Sequence, residues 1–421
     1  MIRKYYPRIL AVLAAVIFFT NFDVYVYNSE RLSVPPLFWI GVFAALALPY
    51  LLSSATLTII RQAPLARWCF LYLLISCVWF LLQPSQSDAA WQELRTRALS
   101  VVFLMVALIV MAREDAHLWA RRCVMIITLA AVGVNFYELF YPQTFSSVMG
   151  RAAGLYINPN QAGVALILGM IVTLDLIPSR WRLAFVLLVG TGVAVTFSRA
   201  AMTGWAIVVF ITFWTRQINL RRSLAVGFTI MVISALLLAW QWDNVMDKLK
   251  VSNVLNDNVM GRLEWLNQPM ADDNSSLERA AVAAIAFERF ADAPLIGSGI
   301  GASRKLLTIT GGLQISSHNQ YLNMMVDHGL LGFLVLPLLL LASIWQSRGD
   351  ERRRAITFAA FLLFMGFFSH NLLEERYTLL IYSLIAAMNV VSKKARVPAL
   401  EAPRLRQPLP LPQLSSVIET R

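Results

Sequence analysis

The sequence predicts an all-α polytopic membrane protein of about twelve transmembrane helices, and three observations carry that expectation. Charged residues make up only 14% of the 421, where a soluble domain carries about 25%. Hydrophobic residues make up 58%, and the mean hydropathy is +0.62. Apolar stretches of about 20 residues, enough to cross a bilayer, recur along the chain. The first, "ILAVLAAVIFFT", has no small-residue cleavage site after it, so it reads as a retained span and not a removed signal peptide.

Spans are expected at 9–27, 35–53, 65–82, 98–112, 119–141, 160–177, 181–197, 200–215, 223–242, 320–346, 355–372 and 377–391. The seventh and eighth are short and nearly continuous, joined by "FSRA". The chain therefore divides into spans one to nine (1–242), one long polar loop with an amphipathic helix (243–317), spans ten to twelve (318–391) and a tail (392–421). The tail is basic, then Pro-rich ("RQPLPLPQL"), a composition expected to be disordered. Cys69, Cys77 and Cys123 lie in or beside apolar runs, and no pair has zinc-type spacing. Neither a disulfide framework nor a metal knuckle is expected.

Net charge is +12, but its distribution follows the membrane. With the N-terminus inside, the inner segments hold twenty basic residues and the short outer loops only six. That is the positive-inside pattern. It supports an even number of spans with both termini inside, and it removes any need to invoke nucleic acid. The six outer arginines are Arg31, Arg95, Arg97, Arg151, Arg199 and Arg376. For Arg31, Arg95 and Arg97 the expectation is simple snorkelling to headgroups.

The remaining outer polar residues form clusters. "RAAGLYINPNQAG" places Arg151 near Asn158-Pro159-Asn160, a turn in which Asn160 is expected to cap the sixth span. Arg199 lies between two apolar runs with almost no loop, which suits an anion-binding role or a structural ion pair. In "SLERAAVAAIAFERFADAPLIGSGIGAS", Arg279 opens a helical pattern expected to bury Ala280, Ala283, Ala284, Phe287, Phe290 and Ala291. Pro294, Gly297, Gly299 and Gly301 then break it, as a plain turn or as a backbone approach to phosphate.

"SHNQYLNMMVDHGLLGF" begins the tenth span with His318 and Asn319. Asn319, Asn323 and Asp327 are spaced four apart on one face, which must meet protein or water. His318 is either a cap or a chemical group, while the deeper His328 reads as structural. The last outer loop gathers His370, Glu374, Glu375 and Arg376; its glutamates either solvate the loop, neutralise arginines or orient a histidine.

His318-Asn319, nine residues, Gly329, two residues and Gly332 together resemble the signature of bacterial O-antigen ligases. These belong to a superfamily with O-antigen polymerases and protein O-oligosaccharyltransferases. "NPNQAG", "FSRA" and "APLIGSGIG" are similar to other recurrent blocks of that superfamily. Arg279 precedes the last of them as the family's arginine does, with Ala283 where the family often has tryptophan. The resemblance implies a GT-C-type fold with one large periplasmic loop between spans nine and ten, in the bacterial inner membrane.

It further implies a metal-independent, inverting glycosyltransferase without a cofactor. The donor would be O-antigen on undecaprenyl pyrophosphate, and the acceptor a sugar hydroxyl of lipid A–core. On this reading His318 is the general base, and Arg199, Arg279 and Arg151 bind the pyrophosphate. Asn158, Asn160 and Asn319 position polar groups, while Glu374, Glu375 and Arg376 serve the acceptor side or orient the base. Such residue types fit the chemistry. Guanidinium forks bind phosphate oxygens in pairs, and a neutral imidazole accepts a hydroxyl proton. The first outer loop, "VYNSERLS", has no Asp-x-Asp for a hard divalent ion. Three other readings use the same residues. An O-antigen polymerase often has two large periplasmic loops, and a protein O-oligosaccharyltransferase usually has a longer chain. A lipid-anion transporter places polar groups near the midplane.

Overall fold

The computed structural model describes residues 2–83, 87–218, 274–305 and 317–401. The expected ninth span (223–242), most of the 243–317 loop and residues 402–421 lie outside them. Every regular element among the described residues is helical. In lipid this is the local solution that satisfies each backbone N–H and C=O within one segment.

In chain order the helices are α1 (Ile2–Ala14), α2 (Phe22–Asn28), α3 (Pro36–Leu51), α4 (Ser54–Gln62) and α5 (Pro64–Leu82). Next come α6 (Asp88–Met111), α7 (Ala116–Phe140), α8 (Pro159–Thr173), α9 (Arg182–Val195) and α10 (Arg199–Trp214). They are followed by α11 (Asn274–Asp292), α12 (Gln320–His328), α13 (Val335–Ile344), α14 (Gly349–Met365) and α15 (Arg376–Glu401). Five stretches are long and apolar enough to cross a membrane: Pro64–Leu82, Asp88–Met111, Ala116–Phe140, Pro159–Leu176 and Gln320–Ile344. Two bent pairs, α1 with α2 and α3 with α4, raise the number to seven if each is one span. Helices α9 and α10 are apolar but shorter. The protein is a polytopic membrane protein, and length and composition account for fewer than the twelve expected spans among the described residues.

Each bend has a local cause. A π-helical turn at Ala15–Phe19 and a left-handed Asn21 (φ 60°) precede the 43° bend into α2. The 105° bend between α3 and α4 is held by Arg113, which donates to the Tyr50 carbonyl (3.0 Å), Ser53 Oγ (2.7 Å) and Thr56 Oγ1 (2.6 Å). Helix α15 packs along α6 at the centre, and α8 packs between α7, α9 and α10. At Gly163 the approach of α8 to α10 is so close that an added Cβ would lie 2.5 Å from Ala201 Cβ. That contact holds the starts of α8 and α10 side by side.

Two sequence expectations are corrected here. Arg97 does not snorkel: α6 begins at Asp88, earlier than the expected span, and carries Arg97 into the interior at 2% exposure. The buried face of α11 is Val282 and Ala286, packed on Ala302, Leu322 and Val326, while Phe287 is 60% exposed. The expected stripe lies too far round the helix because α11 docks on α12 and the following loop, whose position the periodicity does not encode.

Candidate functional site

One device is repeated three times at one end of the bundle. A non-glycine residue takes a left-handed backbone, the next residue is extended and caps a helix, and the helix begins. The left-handed residues are Ile157 (φ 64°), Phe197 (φ 48°) and His318 (φ 51°). The caps are Asn158, Ser198 and Asn319. Asn158 Oδ1 accepts from the Asn160 amide (2.9 Å), Ser198 Oγ from the Ala201 amide (3.4 Å) and Asn319 Oδ1 from the Leu322 amide (3.1 Å). Asn158, not Asn160, therefore caps α8. Pro159 at the first helical position forces the residue before it to be extended, and an N-cap needs that conformation. A left-handed bulky residue costs about 1–3 kcal/mol, and such strain concentrates at functional sites.

The three helix starts open onto two adjoining cavities of about 70 and 480 Å³. The smaller is lined by Asn158, Asn160 and Gln161 of α8, Ser198 and Arg199 of α10, and Arg279, His318 and His370. The larger shares Arg199, Arg279 and His318 and continues along Thr203, Ala283, Phe364 and Phe367. Polar groups at one end thus pass into an apolar slot between α10, α11 and α14. Helix N-termini carry partial positive charge, so three of them together with two guanidiniums make this the anion-favouring corner of the molecule. A separate apolar cavity of about 120 Å³ between α7 and α8 offers no comparable chemistry.

His318 is half-buried beside this cationic wall. Burial, reinforced by Arg279, holds its pKa below the usual histidine value, so its imidazole is neutral. The His370 ring meets it edge to face, with centroids 5.0 Å apart. His370 is depressed further, to about 4, by burial, by His318 and by Arg304. Sequence reading left His370 without a role; its signal lay only in its place in the last outer loop.

The other expected residues sit around the cavity in different ways. Arg151 is 5% exposed; its Nε donates to the Thr196 carbonyl (3.0 Å) and its Nη2 to Asn160 Oδ1 (3.1 Å). It braces the starts of α8 and α10 from behind. Glu375 accepts from Gln161 Nε2 (2.5 Å) and Asn371 Nδ2 (3.1 Å), and burial raises its pKa. Glu374 accepts from Arg304 Nη2 (3.2 Å); burial and the nearby Glu93 raise it to about 7 against that arginine. Arg376 pairs with Asp23 of α2 at 2.6 Å. The hydrogen bonds given to these carboxylates thus come from Gln161, Asn371 and Arg304, while the ring against His318 is His370.

Beneath the site lies an ion network that the sequence did not disclose. Arg97 Nε donates to Glu93 Oε1 (2.7 Å), and its other nitrogens meet Asp327 Oδ2 and His328 Nε2. Arg304 bridges Glu93 and Glu374, and the Ser303 amide donates to Asp327 Oδ1 (3.0 Å). This network fastens the glycine-rich loop to α6 and α12. The loop interlocks with the end of α12. At Gly329 (φ 66°) an added Cβ would lie 2.4 Å from the Leu295 carbonyl, and at Gly297 (φ 74°) 2.5 Å from the Gly329 nitrogen. The glycines of "APLIGSGIG" and of the histidine motif are therefore one packing unit. At these two positions they face each other's backbone.

Residues 183–337 match the family model described as O-antigen ligase. The match runs from α9 into α13 and includes Arg199, Arg279 and His318. No curated protein matches the chain.

Proposed function

We propose that this chain, whose residues 183–337 match the family model described as O-antigen ligase, joins a lipid-linked O-antigen polysaccharide to lipid A–core. The donor is the undecaprenyl pyrophosphate conjugate, and the acceptor is a sugar hydroxyl. The reading takes twelve spans with both termini inside and the site on the periplasmic face of the bacterial inner membrane. The observation that carries it is the meeting of Arg199, Arg279, His318 and three helix N-termini around two adjoining cavities that run into an apolar slot.

The chemistry follows from that arrangement. The pyrophosphate leaves as an anion, so it needs fixed positive charge more than a proton donor. Arg199 and Arg279 supply guanidinium forks, and the starts of α8, α10 and α12 supply aligned dipoles. Arg151 acts by keeping Asn160 and the Thr196 backbone in place. The isoprenoid tail suits the apolar wall formed by Ala283, Phe364 and Phe367. His318, neutral beside Arg279, takes the acceptor proton as its oxygen attacks the anomeric carbon. Attack opposite the leaving group inverts that carbon.

The test is the lipopolysaccharide profile of a deletion strain complemented with wild-type or His318→Ala protein. Wild type restores long-chain lipopolysaccharide, while His318→Ala inserts normally and leaves lipid-linked polymer to accumulate. A deletion strain that keeps core bearing a single repeat unit would instead mark a polymerase. Near-normal ligation by His318→Ala would remove that histidine as the base.

A further inference from the structure

The cavity holds a second histidine that the general-base step leaves unused, and its contact with the first is built into the backbone. Gln320, 1% exposed, donates its backbone N–H to the Gly366 carbonyl (2.8 Å), while its side-chain Oε1 accepts from the Leu372 N–H (3.1 Å). His318 stands two residues before Gln320, and His370 two residues before Leu372. One buried glutamine therefore clamps both histidine-bearing segments. The left-handed backbone of His318 is fixed on one side of the clamp, and the two rings meet at 5.0 Å within the same cavity.

The geometry points to His370 as the proton-relay partner of His318, an inference that rests on the transfer reaction proposed above. As the acceptor oxygen bonds to the anomeric carbon, the bond from that carbon to the pyrophosphate oxygen breaks, and its electron pair leaves with the pyrophosphate. The hydroxyl proton then resides on His318 as imidazolium. Arg199 and Arg279 line the same cavity and disfavour a retained charge there. The proton passes to a ring nitrogen of His370 and on to solvent, which returns His318 to its neutral form. Around His370 stand His318, Arg304, Glu374, Glu375 and Tyr377, besides the two cavity arginines. With its pKa pressed to about 4, chiefly by burial, His370 holds the proton only in transit.

The experiment uses the full chain in liposomes with undecaprenyl pyrophosphate-linked glycan and lipid A–core. His370→Ala removes the ring and leaves its space open to a small-molecule imidazole. Expected is a fall in kcat of roughly tenfold or more, within the range of proton-transfer groups. KM for both substrates should stay unchanged, and added imidazole should restore kcat. A structural role would lower activity without imidazole rescue. Wild-type kcat in His370→Ala, or a lowered kcat that imidazole leaves unmoved, overturns the relay. His370→Gly, read in the same way, serves if the alanine variant fails to insert. If wild-type protein extends the lipid-linked glycan instead of capping lipid A–core, the ligase reading falls. The relay is then measured on that extension reaction.

Discussion

Replacing Arg97 by methionine tests whether the ion network beneath the site bears structural weight. Methionine retains much of the side-chain volume but removes every charged contact. Arg97 binds Glu93, Asp327 and His328 with a side chain only 1% exposed, and Asp327 is fully buried. After the change Glu93 still has Arg304, while Asp327 keeps the Ser303 amide. Breaking a buried pair from one side costs about 3–5 kcal/mol. With an unfolding entropy of about 2.1 cal/mol/K per residue, that loss lowers the melting midpoint of the 421-residue chain by about 3–6 °C. The chain provides its own probe, because Cys69 is a free thiol at 1% exposure on α5. A thiol-reactive fluorophore in detergent therefore reports unfolding. Adding Asp327→Asn to Arg97→Met removes the stranded charge and should recover part of the loss. A single variant that melts within about 1 °C of wild type would refute the reasoning, because so small a shift excludes a cost of this size.

Arg199→Lys keeps the charge but loses the fork, and one charge-assisted hydrogen bond is worth about 1.5–3 kcal/mol. Initial rates of transfer should fall roughly tenfold to a hundredfold; an unchanged rate would reduce Arg199 to charge screening. The pH profile follows from the direction of the His318 shift. Its neutral form is the active one and its pKa lies below the usual 6.5. Transfer should therefore stay level as pH falls from 8 to the ordinary histidine range and decline only below it; a decline centred above 6.5 would contradict the assignment. Gly329→Ala must place a Cβ against the Leu295 carbonyl in a left-handed backbone. Expected are a lowered melting midpoint and loss of ligation, and normal values for both would argue against the interlocked loop. Chelator should leave transfer by purified protein unchanged, since the proposed positive charge comes from arginine; restoration of lost activity by divalent ions would overturn that.

Much of the protein was legible in the residue order because lipid imposes its demands locally. Apolar length marked most helices, while the positive-inside count set an expected orientation. Asn158-Pro159-Asn160 and His318-Asn319 marked helix starts, although it was Pro159 that made Asn158, not Asn160, the cap of α8. The histidine motif with its two downstream glycines pointed to the family that residues 183–337 match. What sequence periodicity cannot express is which side of a helix meets which neighbour. Arg97 looks like an interfacial arginine until α6 is extended to Asp88 and laid along α15, where the guanidinium meets Asp327 and His328 of α12. His370 and His318 lie far apart in sequence and become a pair only through the Gln320 clamp. Arg151 and Arg199 carry the same charge on the same side, yet one is buried behind Asn160 and the other lines the cavity. Burial in a bilayer is determined by each segment's own composition. The position of a charge within the protein depends on distant segments packing together, and here only the tertiary structure determined it.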